Sequence, residues 1–469
     1  MATIKIHNTL TGKKEILKPI KDKGINLFVC GPTVYDFSHI GHAKTYIIFD
    51  CFVKYLRHLG FTVFYLQNIT DIDDKIIHQA REKGVGVKEL AEAFIKEYLK
   101  DMKILGVTSV TKYAKATSYI KEIKSQIKRL QEKGFVYTLD DGIYFDISKI
   151  KNYGKLSNRT ALQAEDGVSR IDYNRNKKNR GDFCLWKFQV PGEPSWPALF
   201  GAGRPGWHIE DTAITEKHFG AQYDIHGGGR DLIFPHHEAE ISQMESISGK
   251  KPMARYWMHI GFLTINGQKM AKSLNNFTTI SDFLKRHPHQ QLRFWIAKNL
   301  WSSPIDYSEG AMIEVAMALE KIEEFLRKLR ITKSQIPNPK QIQNSKLLNK
   351  LKTDFYAELA DDFNTPKAFA VIFEFIKETN KLLDSGLVDK KQADQIYKFF
   401  EEIDSIFEII DFKKLKTSNV PKEVLDLVKT RENYRESQDW KKSDELRLEI
   451  EKYGYLVDDT KDGTVLKKI

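Results

Sequence analysis

Two short clusters bring residues suited to phosphate handling to turns in the chain. His39-Ile40-Gly41-His42 follows an apolar run, residues 25–30, that ends in Gly31-Pro32. Histidines three apart share one helical face, and at a helix start that face lies at the positive end of the peptide dipole, where phosphate is favoured. Lys269-Met270-Ala271-Lys272-Ser273, followed by Asn275-Asn276, sets two lysines three apart in a polar stretch about 230 residues further on. Each cluster taken alone also fits an ordinary helix start or an ordinary surface loop.

The elements that must position these clusters follow from local pattern. Residues 25–30 read as a buried parallel strand. Ser38 is placed to cap a helix whose register Ile40, Ala43, Ile47, Phe52 and Leu56 keeps an apolar face until Gly60. Residues 61–68 read as a second strand, which makes a strand, helix, strand unit with a nucleotide-sized opening at its carboxyl edge. Helical patterns over 87–105 and 118–133 come next, then mixed short strands up to about Pro197 that read as an insertion. The sheet is re-entered with a strand at 223–226, followed by Gly227-Gly228-Gly229 and a helical stretch over 235–248. From Ala311 the pattern is almost wholly helical, with breaks at Pro337, Pro339, Gly386 and near Pro421 and a short terminal segment bearing Gly454 and Gly463.

A chain of 469 residues predicts about three domains. Its 41% hydrophobic and 29% charged residues are a usual globular mix, and no stretch approaches the ~18 apolar residues of a membrane span. A soluble, non-membrane protein is expected. Met1 to Lys5 lack a secretory core and three cysteines are too few for a disulfide framework, so the expected location is a reducing cytoplasm. The net charge is +11, and its excess is confined to residues 1–310, with 45 basic against 33 acidic side chains; residues 311–469 hold 29 against 30. Within residues 101–200 the balance is 18 against 11, and Arg170, Arg175, Lys177, Lys178 and Arg180 crowd one short run. A phosphate backbone is the natural counterpart, although such a run also fits a solvated face.

Together, the histidine and lysine clusters resemble the His-Ile-Gly-His and Lys-Met-Ser-Lys-Ser signatures of class I aminoacyl-tRNA synthetases, with Ala271 at the middle position of the second. Their surroundings resemble cysteinyl-tRNA synthetases along nearly the whole chain. The matching segments are Cys30-Gly31-Pro32-Thr33-Val34-Tyr35-Asp36, Asn68-Ile69-Thr70-Asp71-Ile72-Asp73-Asp74-Lys75 and Gly203-Arg204-Pro205-Gly206-Trp207-His208-Ile209-Glu210. Asp224-Ile225-His226-Gly227-Gly228-Gly229, Phe234-Pro235-His236-His237-Glu238, Asp362-Phe363-Asn364-Thr365-Pro366 and the segment from Asp439-Trp440 to Ser443-Asp444-Glu445 match as well.

The resemblance implies an α/β protein: a doubly wound, Rossmann-like class I catalytic domain with an inserted domain, then a helical bundle and a small α+β anticodon-binding domain. The expected boundaries are 1–112 with 200–255 for the split catalytic domain, 113–199 for the insertion, 256–310 for a connecting segment with the lysine loop, 311–410 for the bundle and 411–469 for the anticodon domain. It implies a cysteine–tRNA ligase that forms cysteinyl-adenylate from L-cysteine and ATP, with Mg²⁺, and passes the cysteinyl group to the 3′ end of tRNA-Cys. No protein nucleophile is needed; the demand is for donors that neutralise charge during in-line displacement. His39, His42, Lys269 and Lys272 are the expected catalytic residues. Gly41 and Gly227 to Gly229 are expected to allow close approach of ATP.

The resemblance also implies one Zn²⁺ that binds the substrate thiolate, held by family positions that fall here on Cys30, Asp211, His236 and Glu240. Aspartate stands where the family has a second cysteine. It preserves the charge count but makes the donor set harder, so a retained zinc and a weakened, substituted or absent metal both remain open. His236 and Glu240 are i and i+4, which suits shared ligation, while a helix-start role for His236 and a capping role for Asp211 are the alternatives. Cys51 and Cys184 are expected to pack in cores. Thr70, Trp207 and His226 match positions near the amino-acid pocket or are structural.

For tRNA, the basic insertion is expected to guide the acceptor end, and Arg435, Trp440, Asp444 and Asp459 to belong to the anticodon-reading segment, with a helix face and a turn as the alternative for the two aspartates. A monomer is expected. A cysteine ligase acting on an amino sugar, as in mycothiol synthesis, lacks the terminal segment present here. A non-catalytic tRNA-binding relative would not need both phosphate-handling clusters.

Overall fold

The apolar run near residue 25 becomes the central strand of a parallel sheet in the computed structural model, which describes residues 3–159, 172, 174–270, 276–334, 345–416, 422–460 and 463–468. The chain divides into two units, Met1–Ile410 and Asp411–Ile469. A hairpin of β1 (Lys5–Asn8) and β2 (Lys13–Ile16) precedes β3 (Gly24–Val29). Helix α1 (Ile40–His58) returns the chain to β4 (Thr62–Ile69), parallel to β3, and its apolar register holds, with Ile40, Ala43, Ile47, Phe52 and Leu56 all buried. Helices α2 (Asp74–Lys83) and α3 (Val87–Ile104) lead to β5 (Lys112–Lys115), parallel to β4.

The chain then leaves the sheet through α4 (Ile120–Glu132). It builds an antiparallel sheet from β6 (Val136–Thr138), β7 (Gly142–Phe145), β8 (Phe183–Phe188) and β9 (Gly203–Pro205), in that spatial order. Helix α5 (Ile209–Phe219) brings it back to β10 (Tyr223–Gly229), which pairs parallel with β3. Helix α6 (Glu238–Ser248) and β11 (Ala254–Ile260) complete the spatial order β11-β10-β3-β4-β5. The direction of winding reverses between β3 and β10, and open parallel sheets bind ligands outside the carboxyl ends of strands at such a switch.

A second small sheet, β13-β12-β14, is formed by β12 (Leu263–Ile265), β13 (Gln268–Lys269) and, after α7 (Ile280–Leu284) and α8 (His289–Ala297), β14 (Ile305–Tyr307). Helices α9 (Glu309–Ser334), α10 (Ser345–Ala360), α11 (Thr365–Asp384) and α12 (Lys390–Phe407) pack on buried Phe325, Phe355, Phe369, Phe399 and Phe407. The second unit contains α13 (Phe412–Lys416), α14 (Lys422–Glu436), α15 (Trp440–Lys452) and a hairpin of β15 (Tyr455–Thr460) and β16 (Gly463–Lys468) on a core of Val424, Ile450, Tyr455 and Val457. Among the described residues no helix is long and apolar enough to cross a membrane.

Several local expectations shift. The cap of α1 is His39, not Ser38, because the histidine ring reaches the free amides of the first turn. The three glycines lie inside β10 rather than after it. Residues 112–115 pair with β4 and so belong to the catalytic sheet, and 203–205 pair with β8 and so belong to the inserted one. Pro337, Pro339 and Pro421 lie outside the described residues.

One buried ionic knot fixes α1 to the bundle side. The Asp50 carboxylate accepts from Thr108 N and Ser109 N at 3.0 Å, from Lys54 Nζ at 2.7 Å and from Arg293 Nη2 at 2.9 Å. Arg293 also donates to Leu105 O and Phe407 O, and both charged side chains are wholly buried. Burial alone would raise the Asp50 carboxyl, but Arg293 and Lys54 hold it below the ordinary carboxylate value. Arg293→Leu strands that carboxylate and is expected to cost about 3–5 kcal/mol, read as a lower urea midpoint for the first unit. An unchanged midpoint would contradict this reading.

Candidate active site

The first turn of α1 is closed by its own histidines. His39 Nδ1 accepts from Gly41 N at 3.1 Å and His42 N at 3.3 Å, His42 Nδ1 accepts from His39 N at 3.4 Å, and the rings stack with centroids 3.8 Å apart. With both Nδ1 atoms accepting, each neutral ring carries its proton on Nε2 and offers one donor there. Burial lowers the His39 pKa to about 4; burial, then the His39 ring, lowers that of His42 well below its ordinary value. These are therefore neutral donors at physiological pH, not cations.

The unfolded chain takes up protons on these rings below pH ~6.5 while the folded chain does not, so their contribution is complete above that pH. Stability should fall from pH ~6.5 towards pH 4, and His39→Asn, which keeps a capping side chain, should flatten the loss. Urea midpoints across that range check it; an identical slope in the variant would be contrary.

The lysine cluster meets this turn. A Cβ on Gly41 would lie 2.9 Å from the His39 ring and 3.3 Å from Met270 Cε, so the absence of a side chain lets the two clusters touch. Beyond the cluster, Ile40 N donates to Thr278 O, Ile280 N donates to Ser38 O, and the Phe277 ring meets His39 edge-on. Lys269 ends β13, but its side chain and the whole of Lys272 lie outside the described residues. A small cleft lined by Thr33, Tyr35, His39, His42, Phe94 and Phe277 opens beside the histidines.

At the carboxyl end of β3 the chain presents Cys30, directly before Gly31, where an added Cβ would fall 1.7 Å from Asn68 O. Cys30 Sγ lies 3.6 Å from Asp211 Oδ2, 3.1 Å from His237 Nε2 and 3.5 Å from His226 Nε2. His236 Nε2 is 2.9 Å from Asp211 Oδ2 and 3.0 Å from Glu240 Oε1. The ligand atoms of Cys30, Asp211, His236 and Glu240 lie within 4.8 Å of one another, and so do those of Cys30, His226, His237 and Glu240. All these side chains are buried. The N-cap of α5 is His208, so Asp211 does not cap that helix.

The cluster has the electrostatics of a cation site. Asp211 Oδ1 and both Glu240 oxygens accept no hydrogen bond among the described residues. Burial first, then Asp211 and Glu240, pushes the Cys30 thiol well above its usual value. Burial and the neighbouring Asp211 likewise raise Glu240 and Glu210. A sulfur, an imidazole nitrogen and two carboxylates that keep unpartnered oxygens, all within reach of one point, fit a divalent ion such as zinc.

The other pocket residues gather here. The Trp207 ring stacks on His236 with centroids 4.2 Å apart, the Thr70 hydroxyl donates to Glu210, and His226 Nδ1 meets Tyr223 OH at 2.7 Å. Sequence reasoning missed His237, His208, His259 and Glu210. His208 Nδ1 meets His236 Nδ1 at 2.9 Å, and His259 Nε2 meets His237 Nδ1 at 2.8 Å, so each orients a neighbour in the cluster. The adjacency of His237 to His236 was the available signal. Cys51 and Cys184 are free and buried away from this cluster.

The glycines of β10 have packing reasons of their own. A Cβ on Gly227 would strike the Phe49 ring of α1 at 2.2 Å, and one on Gly228 the His237 ring at 2.9 Å. In the second unit Trp440 is 58% exposed and Asp444 is exposed. Asp459 instead accepts from both terminal nitrogens of Arg431 at 2.7 Å and pairs with Arg435, and Arg431 first, then Arg435, hold its carboxyl down at about 2.

Comparison with solved structures finds the same fold in aminoacyl-tRNA synthetases. A Mycobacterium tuberculosis methionyl-tRNA synthetase in complex with methionyl-adenylate matches with a TM-score of 0.61 and 14% identity, over 82% of this chain and 89% of that one. The LeuRS of Agrobacterium radiobacter K84, solved in a ternary complex with tRNA, matches with a TM-score of 0.62 and 10% identity, over 84% and 85%. Residues 16–317 match the model of the class I (C) tRNA synthetase catalytic domain, 354–411 the DALR domain and 417–465 the cysteinyl-tRNA ligase anticodon binding domain. The cysteine–tRNA ligase of Methanococcus maripaludis is 44% identical across 99% of both chains, and that of Thermoplasma acidophilum 43% identical across 98% of this chain and 100% of its own. The chain belongs to the cysteine–tRNA ligase family.

Proposed function

We propose that this protein joins L-cysteine to tRNA-Cys by way of cysteinyl-adenylate, and that the observation carrying this is the buried Cys30–Asp211–His236–Glu240 cluster beside the histidine turn of α1 at the switch between β3 and β10. The cysteine carboxylate attacks the α-phosphorus of ATP, the bond to the bridging oxygen breaks, and pyrophosphate leaves with its Mg²⁺. A terminal ribose hydroxyl of tRNA then attacks the carbonyl and AMP leaves. His39 and His42 offer Nε2–H donors to the phosphate oxygens, and Lys269 and Lys272 supply positive charge to them. Gly41 keeps the floor low for the nucleotide, and the run Gly227, Gly228 and Gly229, which lets Phe49 and His237 pack close against β10, would lie beside its adenosine part.

Cys30, Asp211, His236 and Glu240 would hold Zn²⁺, which when bound supplies a soft Lewis acid for a substrate thiolate. His208 keeps His236 turned into the cluster, and Thr70, Trp207 and His226 wall the side-chain pocket. Arg435, Trp440, Asp444 and Asp459 form the anticodon-side surface; the exposed indole suits stacking on a splayed base, while Asp459 sets the position of Arg435. The domain layout follows the observed sheets, with the insertion between residues 116 and 205. Charging of a tRNA-Cys transcript with labelled cysteine tests the reading. Acid-stable charging is expected, greatly reduced when the anticodon is changed; no charging at saturating ATP and cysteine would overturn it.

A further inference from the structure

Lys44 lies two residues after His42 in α1 and is 1% exposed, although none of the groups named above uses it. Its Nζ donates to Ser303 O at 2.7 Å, Gly261 O at 2.8 Å and Phe262 O at 3.3 Å, and among the described residues it has no carboxylate partner. Burial alone lowers its pKa to about 7. Gly261 and Phe262 form the turn from β11 into β12, and Ser303 lies just before β14. β12 pairs with β14 and with β13, whose last residue, Lys269, opens the lysine cluster.

The three carbonyls are forced together by the backbone itself. Gly261 N donates to Trp301 O, Ile305 N donates to Phe262 O, and a Cβ on Gly261 would fall 2.3 Å from Ser303 O. Three negative dipole ends therefore point at one buried spot. An ammonium with three donors satisfies all of them, whereas an apolar side chain leaves them unpaired. The far arm of the lysine cluster is tied to the same helix by the Ile40–Thr278 and Ser38–Ile280 backbone bonds. Lys44 is the side chain that ties the near arm.

We propose that Lys44 is a positioning residue for ATP activation, its ammonium clasping the β12–β13 hairpin that leads into the lysine cluster against the helix that carries His39 and His42. The clasp holds the root of the β12–β13 hairpin against α1, and its catalytic consequence rests on the function proposed above. Lys44→Met keeps the length of the stem and removes the donors; Lys44→Arg restores a cation.

The test uses the full-length protein with two readouts. The first is deuterium uptake without substrates. Lys44→Met is expected to raise uptake in peptides covering 261–270 and 276–284 and to leave those covering β3 and β4 unchanged. The second is cysteine-dependent exchange of pyrophosphate into ATP. Here kcat/KM for ATP is expected to drop about tenfold or more, with the KM for cysteine unmoved and with partial recovery in Lys44→Arg. Unchanged uptake together with unchanged ATP parameters would overturn the clasp, as would loosening of the whole sheet with the ATP and cysteine constants rising together. Should Lys44→Met fail to fold, Lys44→Gln, with two donors, is put through the same comparison. An inactive wild-type protein would overturn the proposed function, while deuterium uptake would still decide the clasp.

Discussion

Cys30→Ser is expected to lower cysteine-dependent pyrophosphate exchange by about 10²-fold or more, the scale of removing one preorganised charge-stabilising group, with little change in folding. The substitution hardly alters volume, and the backbone around it is fixed by β3 pairing and by Gly31 N donating to Asn68 Oδ1. What changes is chemistry. The sulfur stands within 3.6 Å of Asp211 Oδ2, His226 Nε2 and His237 Nε2. A hydroxyl there is a poor soft donor and does not ionise beside two buried carboxylates. Zinc content should drop in step with activity while the urea midpoint stays near that of the wild type. Retention of the wild-type exchange rate with full metal content would refute the role given to Cys30.

His42→Ala is expected to lower kcat of ATP activation by about 10²–10³-fold, equivalent to about 3–4 kcal/mol of transition-state stabilisation, because it removes a preorganised Nε2–H donor from the helix start. His39→Ala should lose a similar factor and also about 1 kcal/mol of stability, since the His39 ring caps Gly41 N and His42 N. His39→Asn separates the two effects: the cap is kept and the stability with it, while the donor towards phosphate is lost. Burial holds both rings below the ordinary histidine value, so neither variant should shift the pH profile of kcat between pH 6 and 8. A new titration in that window would mean that a charged histidine takes part.

The parts of the molecule legible in the sequence were those written locally. The strand before Cys30, the apolar register of α1 and helices α3 and α4 follow short-range periodicity and lie within a few residues of their expected bounds, and the stretch expected to be helical after Ala311 carries α9 to α12. The histidine and lysine clusters could be paired only through resemblance, and the structure supplies the physical link, Met270 against Gly41. What local pattern could not reveal depends on distant partners. Asp50 and Lys44 are charges on what periodicity treats as an ordinary helix, yet both are buried, because Arg293 and the carbonyls of Gly261 and Ser303 come from more than 200 residues away. β5 and β9 are too short to declare which sheet they join until their neighbours are present. The glycines of β10 look like a loop by composition, but they are a strand thinned to admit Phe49 and His237.

A thiol is to be chosen by the buried cluster of Cys30, Asp211, His236 and Glu240, and serine differs from cysteine by a single atom that pocket shape alone discriminates weakly. The direct measurement is the rate of pyrophosphate exchange with cysteine and with serine, taken on protein purified without added metal, before and after chelation, alongside its zinc content. About one zinc per chain is expected, with exchange supported by cysteine and not by serine, lost on chelation and restored by zinc. Cysteine exchange that persists, still rejecting serine, in protein shown to be free of metal would contradict the assignment of Cys30, Asp211, His236 and Glu240 as the thiol-selecting centre.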